Sequence, residues 1–199
     1  MVERHLDEDH GQLSPWSVPP VAPSPIQPIM PAVAMSPSIV AGPRLSRTPH
    51  PPTFARYTGS ASFIWLGAHG GTGASSLRLS TGQGVALRET WPDPSLGWPP
   101  IVVLVTRTSA SGLDNAGHFL HEWASGVVPA GVRLAALVAV ADAPGRLPRS
   151  LRSRLHELSG LTEVVPFPWV EEWRESPGVS IGASRKLAAT IAAIISKEE

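Results

Sequence analysis

Four glycines within seven residues constrain the fold of this chain more than any other feature: Gly67, Gly70, Gly71 and Gly73. They follow the apolar run FIWL and precede ASSLRLS, a segment that can form a helix. Glycine is needed where the backbone adopts positive φ angles or approaches a ligand without a Cβ atom. A strand, a glycine-rich loop and a helix in this order are typical of phosphate-binding loops, in which backbone N–H groups and the helix start surround an anion.

Apolar runs alternate with helical segments from residue 60 to the end of the chain. The runs are FIWL (63–66), IVVLV (101–105), VRLAALVAVA (132–141) and TEVVPF (162–167). Continuous rather than alternating hydrophobicity suits strands that are covered on both faces, as in a parallel sheet. The segments between them carry apolar residues at helical spacing, with one stripe formed by Leu113, Ala116, Leu120 and Trp123. The pattern predicts a compact α/β domain with helices on both faces of a parallel sheet, and an irregular connection packed by tryptophans over residues 82–100.

Proline dominates the first part of the chain, because twelve of the 22 prolines lie between Pro15 and Pro52. This stretch has no helical or strand period and too few apolar residues to offset the entropy of ordering it. We therefore predict a disordered Pro-rich tail over residues 1–58 and one α/β domain over residues 59–199. The composition leaves two roles open for the tail, a simple tether or a docking arm for a partner that recognises proline.

Composition excludes several classes of function. The net charge is zero, so nothing indicates binding to nucleic acid. Cysteine is absent, which excludes disulfide frameworks and thiolate metal sites. The charged N-terminus does not resemble a secretory signal, and prolines interrupt the uncharged stretch that follows it, so we expect no membrane span and a cytoplasmic location.

The loop GAHGGTGASS resembles the deviant Walker loop of the MinD/ParA class of P-loop ATPases, whose pattern is Gly-Lys-Gly-Gly-x-Gly-Lys-Thr-Thr. The positions that match its glycine stretch are Gly70, Gly71, Thr72 and Gly73. Ser75 and Ser76 match its hydroxyl pair, which implies Ser75 as a magnesium ligand. A weaker similarity continues to residue 195, and the lysine-less loop is also similar to that of an uncharacterised actinobacterial family.

Both lysines of the pattern are missing, since His69 stands at the class-specific lysine and Ala74 at the phosphate-binding one. Only residues 81–100 fill the space in which the class carries its switch segments and a Walker-B strand ending in aspartate. The run IVVLV likewise ends without a carboxylate. Because phosphoryl transfer depends on charge stabilisation, the chain is expected to be a pseudo-ATPase without efficient hydrolysis.

The resemblance implies a non-hydrolysing binding or scaffold protein, accessory to a partition, transfer or mobile-element system. The alternative is a nucleotide-binding switch or weak ATPase in which Arg107 replaces the lysine and ATP with magnesium binds weakly. Arg107 and Asp142 both follow apolar runs, so a parallel sheet would bring them to the same edge as the loop. Asp142 would contact a metal there or cap a turn.

Two surfaces are candidates for contact with a protein partner. Trp169 and Trp173 belong to an aromatic cluster after the last apolar run, which serves either packing or partner binding. A run of arginines forms either a solvated face or a contact for an acidic partner or DNA: Arg146, Arg149, Arg152 and Arg154.

Overall fold

The computed structural model describes residues 49–179 and 181–197. The strands are β1 (Phe63–Gly67), β2 (Val85–Arg88), β3 (Ile101–Arg107), β4 (Arg133–Val140) and β5 (Val164–Phe167). The helices are α1 (Ala74–Thr81), α2 (Ala110–Ala124), α3 (Arg149–Leu158) and α4 (Gly182–Ile195), and two short 3-10 turns cover Pro94–Leu96 and Glu171–Arg174. The predicted Pro-rich tail lies, up to residue 48, outside the described residues.

All five strands run parallel in one sheet with the order β2-β1-β3-β4-β5. Helices α1 and α4 pack on one face of the sheet, where Leu77 and Ile191 are buried. Helices α2 and α3 cover the other face, where Phe119 of α2 is fully buried and Leu158 of α3 is partly so. The predicted α/β architecture with a parallel sheet and helices on both faces is confirmed.

The central strands explain why the apolar runs are continuous. Every residue of β1 is buried, and the register of this strand places Trp65 between Ala86 of β2 and Val103 of β3. Side chains of both pleat directions therefore enter a core, one on each face of the sheet. The edge strands β2 and β5 are only four residues long and half-buried.

Strand β2 corrects the prediction that residues 82–100 form only an irregular connection. It pairs with β1 from Ile64 opposite Val85 to Gly67 opposite Arg88. The strand is too short and too weakly apolar to give a clear period in the sequence. The rest of the segment is irregular, and Trp91 within it is fully buried, as the expected tryptophan packing requires.

Residues 49–57, the N-terminal strap, pack on the domain ahead of the predicted boundary between residues 58 and 59. The Thr53 N–H donates to the Trp91 carbonyl over 2.8 Å, and the Tyr57 N–H donates to the Leu96 carbonyl over 2.9 Å. The His50 ring stacks on Phe119 with 3.9 Å between the ring centroids. The folded contacts therefore extend about ten residues further toward the N-terminus than the apolar pattern indicated.

The buried side chain of Glu122, on α2, fastens the strap. One carboxylate oxygen accepts the His50 N–H over 3.0 Å and lies 2.9 Å from His50 Nδ1, while the other accepts the Trp91 indole N–H over 2.7 Å. A buried carboxylate is tolerated when hydrogen bonds satisfy it, and here both oxygens are engaged.

Across the described ranges, no helix combines the length and the hydrophobicity that crossing a membrane requires.

Candidate functional site

The loop between β1 and α1 owes its shape to glycines and to one buried threonine. Gly71 and Gly73 have φ angles of 79° and 92°, a region that L side chains rarely adopt. The Thr72 side chain is buried, and a Cβ atom on Gly67 would lie only 2.7 Å from its hydroxyl oxygen. The backbone therefore turns back tightly at the end of β1 before α1 begins at Ala74.

Backbone N–H groups at the start of α1 lack acceptors. Leu77 is the first residue of the helix whose N–H bonds a backbone carbonyl, that of Gly73, over 2.8 Å. Within the described part of the chain, no acceptor is found for the N–H groups of Gly70, Gly71, Thr72, Gly73, Ser75 and Ser76. Unpaired donors and the positive end of the helix dipole together favour a bound anion at such a position.

A cavity of about 310 Å³ lies beside these groups. Eight of the ten predicted site residues line it: His69, Gly71, Thr72, Gly73, Ala74, Ser75, Ser76 and Arg107. Gly70 lies in the loop but does not line the cavity, and Asp142 lines a different one. Arg88, at the end of β2, also borders the loop cavity and was not anticipated.

The side chain of Arg107 ties the loop to the end of β4. Its Nε donates to the Gly71 carbonyl over 3.1 Å, and its Nη1 donates to the Ala141 carbonyl over 2.8 Å. The guanidinium carbon also lies 6.0 Å from the centroid of the Trp169 ring, a distance typical of a cation–π contact. These contacts fix one positive charge on the cavity wall, at the sheet edge where the sequence placed it.

The imidazole of His69 is engaged in holding the loop. Its Nδ1 lies 2.8 Å from the Gly70 carbonyl oxygen, and its Nε2 lies 3.5 Å from the Arg107 backbone nitrogen. A neutral ring protonated at Nδ1 satisfies both contacts, because it donates to the carbonyl and accepts the backbone N–H. Both ring nitrogens of His69 are therefore engaged with backbone groups, one of the loop and one of β3.

Ala74 leaves the other lysine position without any amine. Its methyl group is 7% exposed and belongs to the core cluster beneath α1, together with Leu77. The cavity wall is apolar at this point, and the positive charge of the cavity comes from Arg107 and Arg88 instead.

Glu89 is a residue of this site that the sequence analysis missed. It follows β2 with a φ of 54°, which is uncommon for a residue other than glycine, and its N–H donates to the Gly67 carbonyl over 2.9 Å. Its Oε1 lies 3.9 Å from the position that a Cβ atom on Gly70 would occupy. Glu89 places a carboxylate near the loop, at the end of β2 rather than at the end of the run IVVLV. The sequence signal was the short run VALR between Gly84 and Glu89.

The described residues supply no preformed metal cage. No cluster of three or more His, Asp or Glu side chains suited to a metal exists among them. Ser75 borders the loop cavity and offers one hydroxyl oxygen. Magnesium prefers an octahedron of oxygens and usually takes several from phosphates and water, so Ser75 fits a magnesium ion only when a phosphate arrives with it.

Asp142 lies away from the loop cavity. Its side chain is exposed, and its N–H donates to the Thr108 hydroxyl oxygen over 3.1 Å. It lines a second cavity between the end of β4 and α3. Asp142 therefore does not line the cavity that Ser75 and Arg107 border, although the carbonyl of the preceding residue, Ala141, accepts a hydrogen bond from Arg107.

The two tryptophans of the predicted partner surface differ in their surroundings. Trp173 stacks on the buried Phe167 with 5.3 Å between ring centroids, so packing accounts for it. Trp169 is half-buried beside Arg107, and its indole N–H donates to Glu171 over 2.7 Å. This hydrogen bond, together with the hydrogen bond and the charge of Arg174, lowers the pKa of Glu171 below its ordinary value.

No protein-family model matches the sequence, and no relative is found among curated proteins. The candidate site consists of the loop, Arg107 and, beside the loop, Glu89. These three features meet at the carboxyl edge of a parallel sheet, where ligands of open α/β folds bind.

Proposed function

We propose that this protein is a non-hydrolysing binding or scaffold protein built on a degenerate phosphate loop of the MinD/ParA type. It would work beside an active ATPase of a partition, transfer or mobile-element system. One observation carries the proposal: a cavity is lined by residues whose backbone N–H groups have no acceptor among the described residues, and the first helical residue beside it is the buried Ala74. Such a loop keeps the means to hold an anion and lacks the cation that activates one.

The anion-binding part of the proposal follows from the backbone. Gly71 and Gly73 hold positive φ angles, and their N–H groups have no acceptor among the residues that the structure describes. The next N–H, that of Ala74, lies 3.4 Å from the Thr72 hydroxyl oxygen. The helix dipole adds partial positive charge at the same place. Arg107 contributes a full charge on the cavity wall. Weak binding of phosphate groups is the expected result, and salt should suppress it because the cavity is open to solvent.

The lack of hydrolysis is inferred from the side chains. Catalysis of phosphoryl transfer needs charge placed against the β- and γ-phosphates, and it depends on preorganised cations more than on covalent help. His69 is engaged with the Gly70 carbonyl and the Arg107 N–H, so it is not available for that task. Two of the five guanidinium N–H groups of Arg107 are engaged with backbone carbonyls.

The deciding experiment measures phosphate release from ATP and GTP with the full-length protein, in parallel with calorimetric titration of magnesium-ATP. We expect no steady-state release above the rate without protein, and binding no tighter than millimolar. Gly73→Val is the informative variant, because its β-branched side chain cannot adopt the φ of 92° at the helix start. Release that is measurable in the native protein and abolished in Gly73→Val would sink the proposal.

Arg107 favours a second candidate function, a nucleotide-binding switch in which this arginine replaces the missing lysine. The observation behind it is the pair of hydrogen bonds that hold the guanidinium against the loop cavity. A ligand that binds only the folded state raises its melting temperature by mass action. The switch therefore predicts a thermal shift with magnesium-ATP that Arg107→Lys retains in part and Arg107→Ala loses. No heat and no shift at millimolar nucleotide would remove this candidate.

A further inference from the structure

A second cavity at the same edge of the sheet is largely apolar. It has a volume of about 320 Å³ and lies between α3 and the ends of β4 and β5. Its apolar lining includes Pro144, Leu147, Leu151, Leu155, Pro166 and Phe167. No residue of α3 is fully buried, although three leucines of this helix and of the turn before it face the cavity. Helix α3 therefore stands over an apolar gap, here called the α3 groove.

The charges around α3 are distributed unevenly. Arg154 forms an ion pair with Asp114 of α2, which fixes the side of the helix that faces α2. Arg149 and Arg152 lie five and two positions before it, on the opposite side of the helix, and both are exposed. Neither takes part in an ion pair with the described residues, and Arg146 at the groove likewise has none. The flank of α3 away from α2 is thus positively charged.

The position of these charges is unfavourable for the dipole of α3. Arg149 is the first residue of α3, the helix has Pro148 as its N-cap, and its first turn contains no acidic residue. Cations in the first turn oppose the helix dipole, whereas an acidic residue there would stabilise the helix. Inside the groove, Arg146 is balanced by Asp142, which leaves the net positive charge on the flank.

We propose that the α3 groove binds an acidic amphipathic segment of a partner protein. Apolar side chains of that segment would fill the gap over Leu151 and Leu155, and its carboxylates would meet Arg149 and Arg152. Charge complementarity selects an acidic occupant, because the arginines have no counter-charge of their own. The arginines lie outside the gap, along the helix, so the occupant has to extend beyond the cavity, as a chain segment does and a small molecule does not. The proposal uses none of the loop residues and is independent of the proposed function.

The test uses the full-length protein and a synthetic helical peptide with glutamates on one face and leucines on the other. Three arginines are neutralised together in the variant Arg146→Gln/Arg149→Gln/Arg152→Gln. Its charge-matched control neutralises three exposed cations at α4, Arg185→Gln/Lys186→Gln/Lys197→Gln. Each exposed ion pair contributes a factor of about two to three, so losing the pairs with Arg149 and Arg152 should raise the dissociation constant about four- to ninefold in the first variant, whereas the control should leave it unchanged.

Two further measurements separate the groove from general charge attraction. The exposed Ala143 lines the groove, so Ala143→Trp should fill it and weaken binding without disturbing the core. A second peptide with serines in place of the leucines should bind more weakly than the first. Amide chemical shifts perturbed by the first peptide should cluster around α3, and Gly73→Val should leave the binding unchanged, since that variant affects only the loop.

Several results would overturn the proposal. One is the absence of peptide binding at millimolar concentration; another is equal binding by the serine peptide. Tighter binding of duplex DNA, lost in the arginine variant, would assign the basic flank to nucleic acid instead. Self-association of the protein that disappears in Ala143→Trp would assign the groove to a second copy of the chain.

Discussion

Replacing Glu122 by alanine should remove the main attachment of the N-terminal strap. The substitution leaves the buried indole N–H of Trp91 without an acceptor, which costs about 1–3 kcal/mol, and it removes the two contacts to His50, together worth about 1 kcal/mol. The free energy of unfolding should fall by about 3 kcal/mol. For a domain of this size that corresponds to a decrease in melting temperature of roughly 6–12 °C.

Urea unfolding followed by tryptophan fluorescence measures this change directly. Glu122→Gln should lose less, because its carbonyl oxygen still accepts the indole N–H while its amide group faces the His50 donors. Glu157→Ala, an exposed glutamate on α3, is the control and should stay within about 0.5 kcal/mol of the native protein. Hydrogen exchange at the Thr53 amide should accelerate in Glu122→Ala as the strap loosens. If that variant loses less than about 1 kcal/mol, the carboxylate does not fasten the strap and the reasoning fails.

Three further predictions follow from single positions. Gly112→Ala should destabilise the domain by about 3 kcal/mol in urea unfolding, because its Cβ atom would clash with the backbone carbonyl at the end of β3. The control Gly182→Ala adds its Cβ atom in open space and should be neutral or slightly stabilising. Ala74→Lys should raise the affinity for magnesium-ATP in calorimetry without producing fast hydrolysis; unchanged affinity in a folded variant would mean that the loop is only a turn. The lowered pKa of Glu171 predicts a stabilising contribution of this carboxylate that is fully present above its ordinary pKa of 4.5. The contribution is lost as the pH falls through the lower pKa of the folded state. In an NMR titration, Trp169→Phe should move the titration midpoint of Glu171 upward.

The sequence predicted the central strands because their hydrophobicity has a single physical cause. A strand buried on both faces must be apolar at every position, and β1, β3 and β4 obey this rule. Helix α2 could also be predicted, since Leu113, Ala116 and Leu120 recur at helical spacing and are buried. An edge strand such as β2 carries no such signal, because only part of each side chain leaves water.

The residues of the candidate site likewise divide into those with a clear sequence signal and those without one. The glycines of the loop could be recognised in the sequence because positive φ angles there require glycine. Arg107 could be placed beside them because the strands of a parallel sheet end at the same edge. Glu89 was missed together with the strand that positions it. The strap was missed because its attachment is polar: one buried glutamate on α2 fastens residues that lie 72 positions away in the chain, and no periodic pattern encodes such a contact.

Consecutive residues at the end of β3 and just after it line two different cavities. Arg107 lines the loop cavity, and the next residues, Thr108 and Ser109, line the α3 groove. The backbone here is held firmly, since the Thr108 N–H donates to the Val140 carbonyl over 3.0 Å. An occupant of one cavity would therefore contact a residue adjacent in the chain to one that lines the other cavity. If one occupant changes the affinity for the other by some factor, thermodynamic linkage requires that the second change the affinity for the first by the same factor.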